Sequence, residues 1–223
     1  MLSLATPAST GALRRLVLGR SVEGRAITAI EVGDPASPRK ALVVGCIHGN
    51  ECAGLAIVQR LEQLGPEAGV DLWIIPEANP DGHALDQRQN AHGVDLNRNF
   101  PWQWRPLPRG LYYSGPRPAS EPETRIALHF LRHLRPTVTI WFHQHMRLVD
   151  ESGGDVSIER HFARLVGLPL WHLPRYPGSV TSWENHHLPD TTAFVVELPA
   201  GSLSPAAADR YADAVRAVIR TGS

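Results

Sequence analysis

The sequence predicts an α/β fold: a mixed, mostly parallel β-sheet flanked by helices, in a single domain over residues 1–223. Three observations predict it. Short apolar runs at 41–47, 70–75, 137–142 and 192–198 are rich in β-branched residues and too brief for helices, so they read as buried strands. Segments with helical apolar spacing fall between them, the first ending near Leu64 and the others at 123–134, 159–167 and 205–220. That alternation is the pattern of a sheet with helices packed on its faces.

Taken in order, residues 1–13 are small, polar or proline and are expected to be loose. Leu16–Leu18 and Ala26–Val32 read as an edge hairpin around Ser21-Val22-Glu23-Gly24. The segment 33–40 contains two prolines and reads as a loop. Ala41–Ile47 is the first buried strand, and Gly65 to Gly69 breaks the helix that follows. Val70–Ile75 is the next strand, ended by Pro76. From Pro76 to Ser120 no periodicity appears; about 45 residues without regular structure inside a compact fold usually signal function. Ser120 and Glu123 stand in capping-box spacing before the helix Glu123–Leu134. Thr137–Phe142 is a strand, Glu159–Gly167 a helix and Leu168–Gly178 a proline-rich loop. Thr192–Leu198 is the last strand, and Pro205–Arg220 an amphipathic closing helix.

Composition narrows the function. Lys+Arg and Asp+Glu are equal at 22 each, so nothing favours a polyanionic partner such as nucleic acid. Lys40 is the only lysine and lies outside any glycine-rich phosphate loop, which disfavours Schiff-base and P-loop chemistry. Cys46 and Cys52 read as two small buried thiols rather than a disulfide scaffold. No run approaches the ~18 apolar residues of a membrane span. Arg14 and Arg15 follow the small-residue stretch instead of preceding an apolar core, so no export signal is seen and a cytoplasmic location is expected.

The candidate chemistry gathers at predicted strand ends. His48-Gly49-Asn50-Glu51 follows the first buried strand, and ligands bind at that rim in open α/β sheets. Imidazole nitrogen and carboxylate oxygen suit zinc, whose catalytic sites need three protein ligands and an open position. Either His143 or His145, in His143-Gln144-His145 after the third strand, can supply the third ligand, because residues two apart on an extended chain face the same side. Glu197 lies inside the apolar Val195–Leu198, a costly place for a carboxylate unless it is used; a general base fits. Asn79-Pro80-Asp81-Gly82 is turn chemistry. Arg88, Asn97, Arg98 and Asn99 in the irregular stretch can hold an anion, since guanidinium forks match carboxylates.

These motifs stand together: His48-Gly-Asn-Glu51, Asn79-Pro-Asp-Gly82, Gly93-Val-Asp-Leu-Asn-Arg-Asn-Phe100, Ser120-Glu-Pro-Glu-Thr124, a strand-end histidine and strand-borne Glu197. In that order, over about residues 20–200, the chain resembles the zinc carboxypeptidases. Gly45-Cys-Ile-His-Gly-Asn50 and the compact length are most similar to the bacterial branch, which includes the murein peptide amidases that cut the γ-D-glutamyl–diaminopimelate bond. The resemblance implies zinc held by His48, Glu51 and His143, with Glu197 as general base and later acid. It implies that Arg88 polarises the scissile carbonyl and that Asn97 and Arg98 grip a terminal carboxylate, on a peptide or cell-wall peptide. Many relatives carry a tyrosine in the loop before the catalytic glutamate; here none follows Gly178-Ser-Val-Thr-Ser-Trp183, and Tyr176 precedes it. Absence of that tyrosine favours the murein branch over digestive-type enzymes.

Two other readings compete. Deacylases of the succinylglutamate desuccinylase and aspartoacylase type share His-Gly-Asn-Glu and Asp-Leu-Asn-Arg, but the Asn79 tetrapeptide and Ser120-Glu-Pro-Glu-Thr124 belong to the carboxypeptidase pattern. A non-catalytic zinc- or peptide-binding relative would not be expected to carry His48, Glu51, His143, Arg88 and Glu197 together. His129, His133, His186 and His187 read as surface or loop residues.

Overall fold

A computed structural model describes residues 13–221. Apart from Leu13, the segment expected to be loose lies outside the described residues. Eight strands form one sheet: β1 (Arg14–Arg20), β2 (Ala26–Gly33), β3 (Lys40–Cys46), β4 (Asp71–Glu77), β5 (Val138–Gln144), β6 (Leu148–Asp150), β7 (Leu170–Trp171) and β8 (Thr192–Leu198). Their spatial order is β1-β2-β4-β3-β5-β8-β6-β7. The centre, β4-β3-β5-β8, is parallel. Antiparallel β1-β2 closes one side, and β6, antiparallel to β8, begins the other.

The parallel centre follows from its residues. Strands buried on both faces need apolar side chains at every position, and β3 supplies Ala41, Leu42, Val43 and Val44, each at most 1% exposed. Alternation sends Ala41 and Val43 to one core and Leu42 and Val44 to the other. The first core is closed by α1 (Gly54–Leu64), α4 (Val156–Val166) and α6 (Pro205–Thr221), through Ile57, Phe162 and Tyr211. The second is closed by α3 (Pro122–Leu134) and α5 (Val180–His187), through Leu131, Val180 and Trp183, with Phe100 from the irregular stretch.

Several local expectations are corrected. Pro76 does not end β4, which runs to Glu77. Strand β2 pairs with β4 only as far as Ile74, so the missing N–H of Pro76 falls beyond that ladder. Ser120 and Glu123 do not form a capping box: Glu121 is the N-cap without a side-chain cap bond. The Ser120 hydroxyl donates to the Glu121 carboxylate, while Glu123 accepts from Val22 N and Asn90 Nδ2 and cannot return to the cap. Residues 178–183 do not form a simple loop; Val180 starts the eight-residue helix α5. The proline-rich segment after Leu168 contains the two-residue strand β7, and β6 has three residues, both below the length that periodicity can reveal. Cys46 and Cys52 are not separate thiols but a disulfide, because the turn between them brings their Cα atoms to 4.8 Å.

Candidate active site

Strand order places the candidate residues before any side chain is considered. The chain leaves β3 for β4 on one side and reaches β5 on the other, so the rim between β3 and β5 is a topological switch point. His48 follows β3, His143 lies near the end of β5, and Glu197 lies on β8 in register with His143. Parallel pairing therefore sets the imidazole of β5 beside the carboxylate of β8.

The turn holding His48 and Glu51 is built by close approach. Glu51 N donates to His48 O at 2.9 Å. Any Cβ at Gly49 would overlap the backbone of Gly82, so Asn79-Pro80-Asp81-Gly82 does more than turn the chain. It forms the start of α2 (Pro80–Ala84), capped by the Asn79 side chain accepting from Gly82 N, and buttresses the His48 loop. Gln144 ties three elements together at this rim: its Oε1 accepts from Ala53 N at 3.0 Å, and its Nε2 donates to Pro199 O and Gly201 O, each at 2.8 Å.

His48, Glu51 and His143 each offer one ligand atom, all within 4.8 Å of one another. The Nδ1 atoms of His48 and His143 face the same Glu51 oxygen, Oε2, at 2.9 and 3.1 Å. Two imidazole nitrogens and one carboxylate held this close together suit a divalent cation, which can take the place of the shared proton and bind all three. His145 is exposed on the cleft wall and outside this triad, so the structure separates the two histidines that the sequence left as alternatives. The His143 Nε2 is buried with no hydrogen-bond partner among the described residues.

Behind the triad stands Asp95, a residue that sequence reasoning quoted within its motif but gave no role. It is fully buried, accepts from Asn97 N at 2.9 Å, and faces His48 Nε2 at 3.0 Å through Oδ1. That contact fixes the ring so that Nδ1 points at the cation position. Arg88 donates to Asp95 Oδ2 at 2.9 Å and to Glu51 Oε1 at 2.6 Å, linking the triad to its support. Burial opposes ionisation of Glu51, yet the imidazoles of His48 and His143 hold its carboxyl well below the usual range. Asp95 is depressed likewise, with His48, Arg88 and Arg98 outweighing burial. Burial and Arg88 work against a charge on His48, but the Asp95 and Glu51 carboxylates win and raise its pKa.

A cleft of about 1070 Å³ opens from this rim. Asn97 and Arg98 enter it from the short 3₁₀ turn Leu96–Arg98, N-capped by Asp95. The Asn97 side-chain Oδ1 accepts from Val180 N at 2.9 Å, which turns Nδ2 of the same side chain into the group available to donate. Any Cβ at Gly178, where φ is +71°, would overlap the Arg98 backbone, so this glycine is needed for α5 to start against the 3₁₀ turn. Arg98 is 6% exposed and meets no carboxylate at ion-pair distance among the described residues. Its guanidinium lies 4.4 Å over the Tyr176 ring and 5.6 Å over Tyr112, and burial lowers its pKa. Tyr176 thus reaches the site although it precedes the α5 motif. Glu197 lines the same cleft and accepts from Met146 N at 3.3 Å. The seven residues given site roles from the sequence, His48, Glu51, Arg88, Asn97, Arg98, His143 and Glu197, line this cleft; Asn99 does not join the other anion-holding candidates, because it is buried with its Nδ2 donating to Ser114 O at 2.8 Å.

A rim-mounted His-Glu-His triad that can hold a metal ion thus stands beside a strand-borne carboxylate on a mixed sheet. The chain belongs to the zinc carboxypeptidase family, whose pattern matches residues 7–150, and that membership places it among hydrolases acting on peptide bonds. Among curated relatives, murein peptide amidase A of Escherichia coli K12 is 29% identical over 182 residues, covering 74% of each chain. Carboxypeptidase SOL1 of Arabidopsis thaliana is 32% identical over 142 residues; the match covers 56% of this chain but 28% of that relative. Among solved structures, murein-tripeptide amidase from Escherichia coli O157 superposes with a TM-score of 0.77 at 25% identity, covering 98% of both chains. Carboxypeptidase A from Helicoverpa armigera shares the fold, with a TM-score of 0.80 at 19% identity, over 95% of this chain and 69% of that one.

Proposed function

We propose that this chain is a zinc-dependent carboxypeptidase-type amidase that hydrolyses a peptide or amide bond next to a free carboxylate. The observation that carries the reading is the convergence of the His48, Glu51 and His143 donors in one cleft with Glu197 and with Arg98, which makes no ion pair at contact distance among the described residues. Residues 1–223 are taken to act as one catalytic domain. Zinc held by the triad supplies Lewis acidity, polarising a carbonyl and lowering the pKa of a water.

The protein groups divide the remaining work. Asn97 and Arg98 hold the substrate carboxylate and so fix which bond reaches the rim, an orientational contribution to rate. Arg88 has Nε and Nη1 committed to Asp95 and Glu51, leaving Nη2 to stabilise the developing oxyanion. Glu197 takes the proton of the attacking water and returns it to the leaving amine.

The substrate we favour is a cell-wall peptide cut at its γ-D-glutamyl–diaminopimelate bond, supported by the likeness to murein amidases along nearly the whole chain. The deciding experiment combines metal analysis with turnover of L-Ala-γ-D-Glu-diaminopimelate against an ordinary C-terminal peptide. About one zinc per chain and preference for the murein peptide support both parts. Zinc with ordinary peptidase activity alone discards the cell-wall assignment, and zinc-free protein never exposed to chelator overturns the mechanism. Among the described residues no helix is long and apolar enough to cross a membrane. The expected cytoplasmic location stands against the Cys46–Cys52 link, which oxidising compartments favour. Thiol labelling of protein taken directly from cells decides between them.

A further inference from the structure

Five arginines line the cleft, Arg88, Arg98, Arg105, Arg109 and Arg175, against three carboxylates, Glu51, Asp150 and Glu197. The chain as a whole has formal net charge zero, whereas the cleft lining carries two more arginines than carboxylates, or one more once Asp95 behind Arg88 is counted. Three of the five have an assignment. Arg88 is paired with Glu51 and Asp95, Arg175 donates to the buried Asp150 at 3.0 Å, and Arg98 serves the terminal carboxylate in the proposed reading. Arg105 and Arg109 are exposed and make no ion pair among the described residues; Arg109 lies 5.0 Å over the Tyr113 ring.

Exposed arginines are ordinarily solvated surface, but these two are mounted differently. They bracket Arg105-Pro106-Leu107-Pro108-Arg109, where two prolines fix φ and stiffen the backbone. The segment is also pinned at both ends. The Ser114 hydroxyl donates to Arg105 O at 3.0 Å and accepts from Leu107 N at 2.9 Å. Gln89 Nε2 donates to Gly110 O at 3.2 Å and Leu111 O at 3.0 Å. Two cations without an ion-pair partner among the described residues thus stand on an anchored strip of the cleft lining, so an anion bound there has the two side chains to order but little backbone.

We propose that Arg105 and Arg109 form a second anion subsite, selecting substrates that carry a further carboxylate besides the terminal one. The inference rests on the hydrolase reading and names its substrate class: a peptide with at least two carboxylates. The test uses two peptides that share the scissile bond and C-terminal residue. One carries a free α-carboxylate on the residue before that bond, and the other carries the amide there.

Wild-type protein is expected to prefer the diacid in kcat/KM by about tenfold, mainly through KM, with the preference shrinking as salt rises. Arg105→Gln/Arg109→Gln should reduce that ratio to roughly twofold or less, and Arg105→Lys/Arg109→Lys should restore part of it. A double Gln variant that keeps the full preference overturns the subsite, and so does one that loses activity equally on both peptides. If wild type cuts neither peptide, the hydrolase reading fails instead. Equilibrium binding of the same pair then judges the subsite: discrimination lost in the variant supports it, and equal affinities for wild type overturn it.

Discussion

The two walls of the cleft are built on opposite principles. At the sheet rim, His48, Asp95 and His143 are at most 3% exposed, and Glu51 meets both imidazoles and Arg88. Charges there answer one another, and their positions are set by strand ends, a glycine contact and a buried carboxylate. Elsewhere on the lining, Arg98 lies over aromatic faces, Arg105 and Arg109 make no ion pair among the described residues, and Tyr112 and Tyr176 are about half exposed. The difference teaches where the ligand fits in. In the proposed reading the rim takes a cation, whereas the loop wall takes an anion from outside the chain.

Substitutions can break this division, the largest effect first. Glu197→Gln should lower kcat by about 10³-fold or more while zinc content, read by metal analysis, stays near wild type; activity within tenfold of wild type would remove Glu197 from the reaction. Arg98→Ala should raise KM for free-carboxylate peptides about a hundredfold and leave amidated analogues nearly untouched; equal losses on both would place Arg98 in the scaffold rather than in the clamp. Asp95→Asn acts behind the rim and should weaken zinc binding by about 10–100-fold, measured by competition with a chelator. Unchanged affinity would mean that the His48 ring is oriented without Asp95.

The last effect falls on stability rather than turnover and concerns the helix behind the loop wall. Glu184 on α5 is fully buried, accepts from Trp141 Nε1 at 2.7 Å, and is pushed by burial from 4.5 up to about 8. A carboxyl raised in the folded state supports stability below its unfolded pKa and loses that support as pH rises through the folded value. The loss should therefore run from about pH 4.5 to 8, on the order of 1.4 kcal/mol per pH unit. Urea unfolding of Glu184→Gln should show a shallower alkaline decline than wild type, the remainder coming from Glu159, which burial raises to about 7. Identical declines would locate the pH dependence elsewhere, and the wall would then be insensitive to the charge behind it.

What the sequence made legible follows the same division. Strands β3, β5 and β8 could be read because burial on both faces forces an unbroken apolar run, and their ends located the triad and Glu197. Asp95 lay in plain view, but its partner His48 is 47 residues away, and only the fold brings the two together. The loop wall was harder to read. Helix α5 has eight residues, β6 and β7 fewer still, and Tyr176 and Tyr112 each face Arg98 from separate segments with no period to announce them. Cys46 and Cys52 looked like independent packing residues because a strand and a helix were assigned around a turn too tight to see in one dimension.

The pairing of His143 with Glu197 has one more consequence. Neighbouring strands can shift only by whole residues, each a step of about 3.3 Å that also turns every side chain to the opposite face. The register that sets these two residues side by side is therefore a digital quantity, kept whole or lost. Substitution and insertion across the cleft are analogue by comparison, so a lineage can retune what it cuts while the instrument that cuts keeps its calibration.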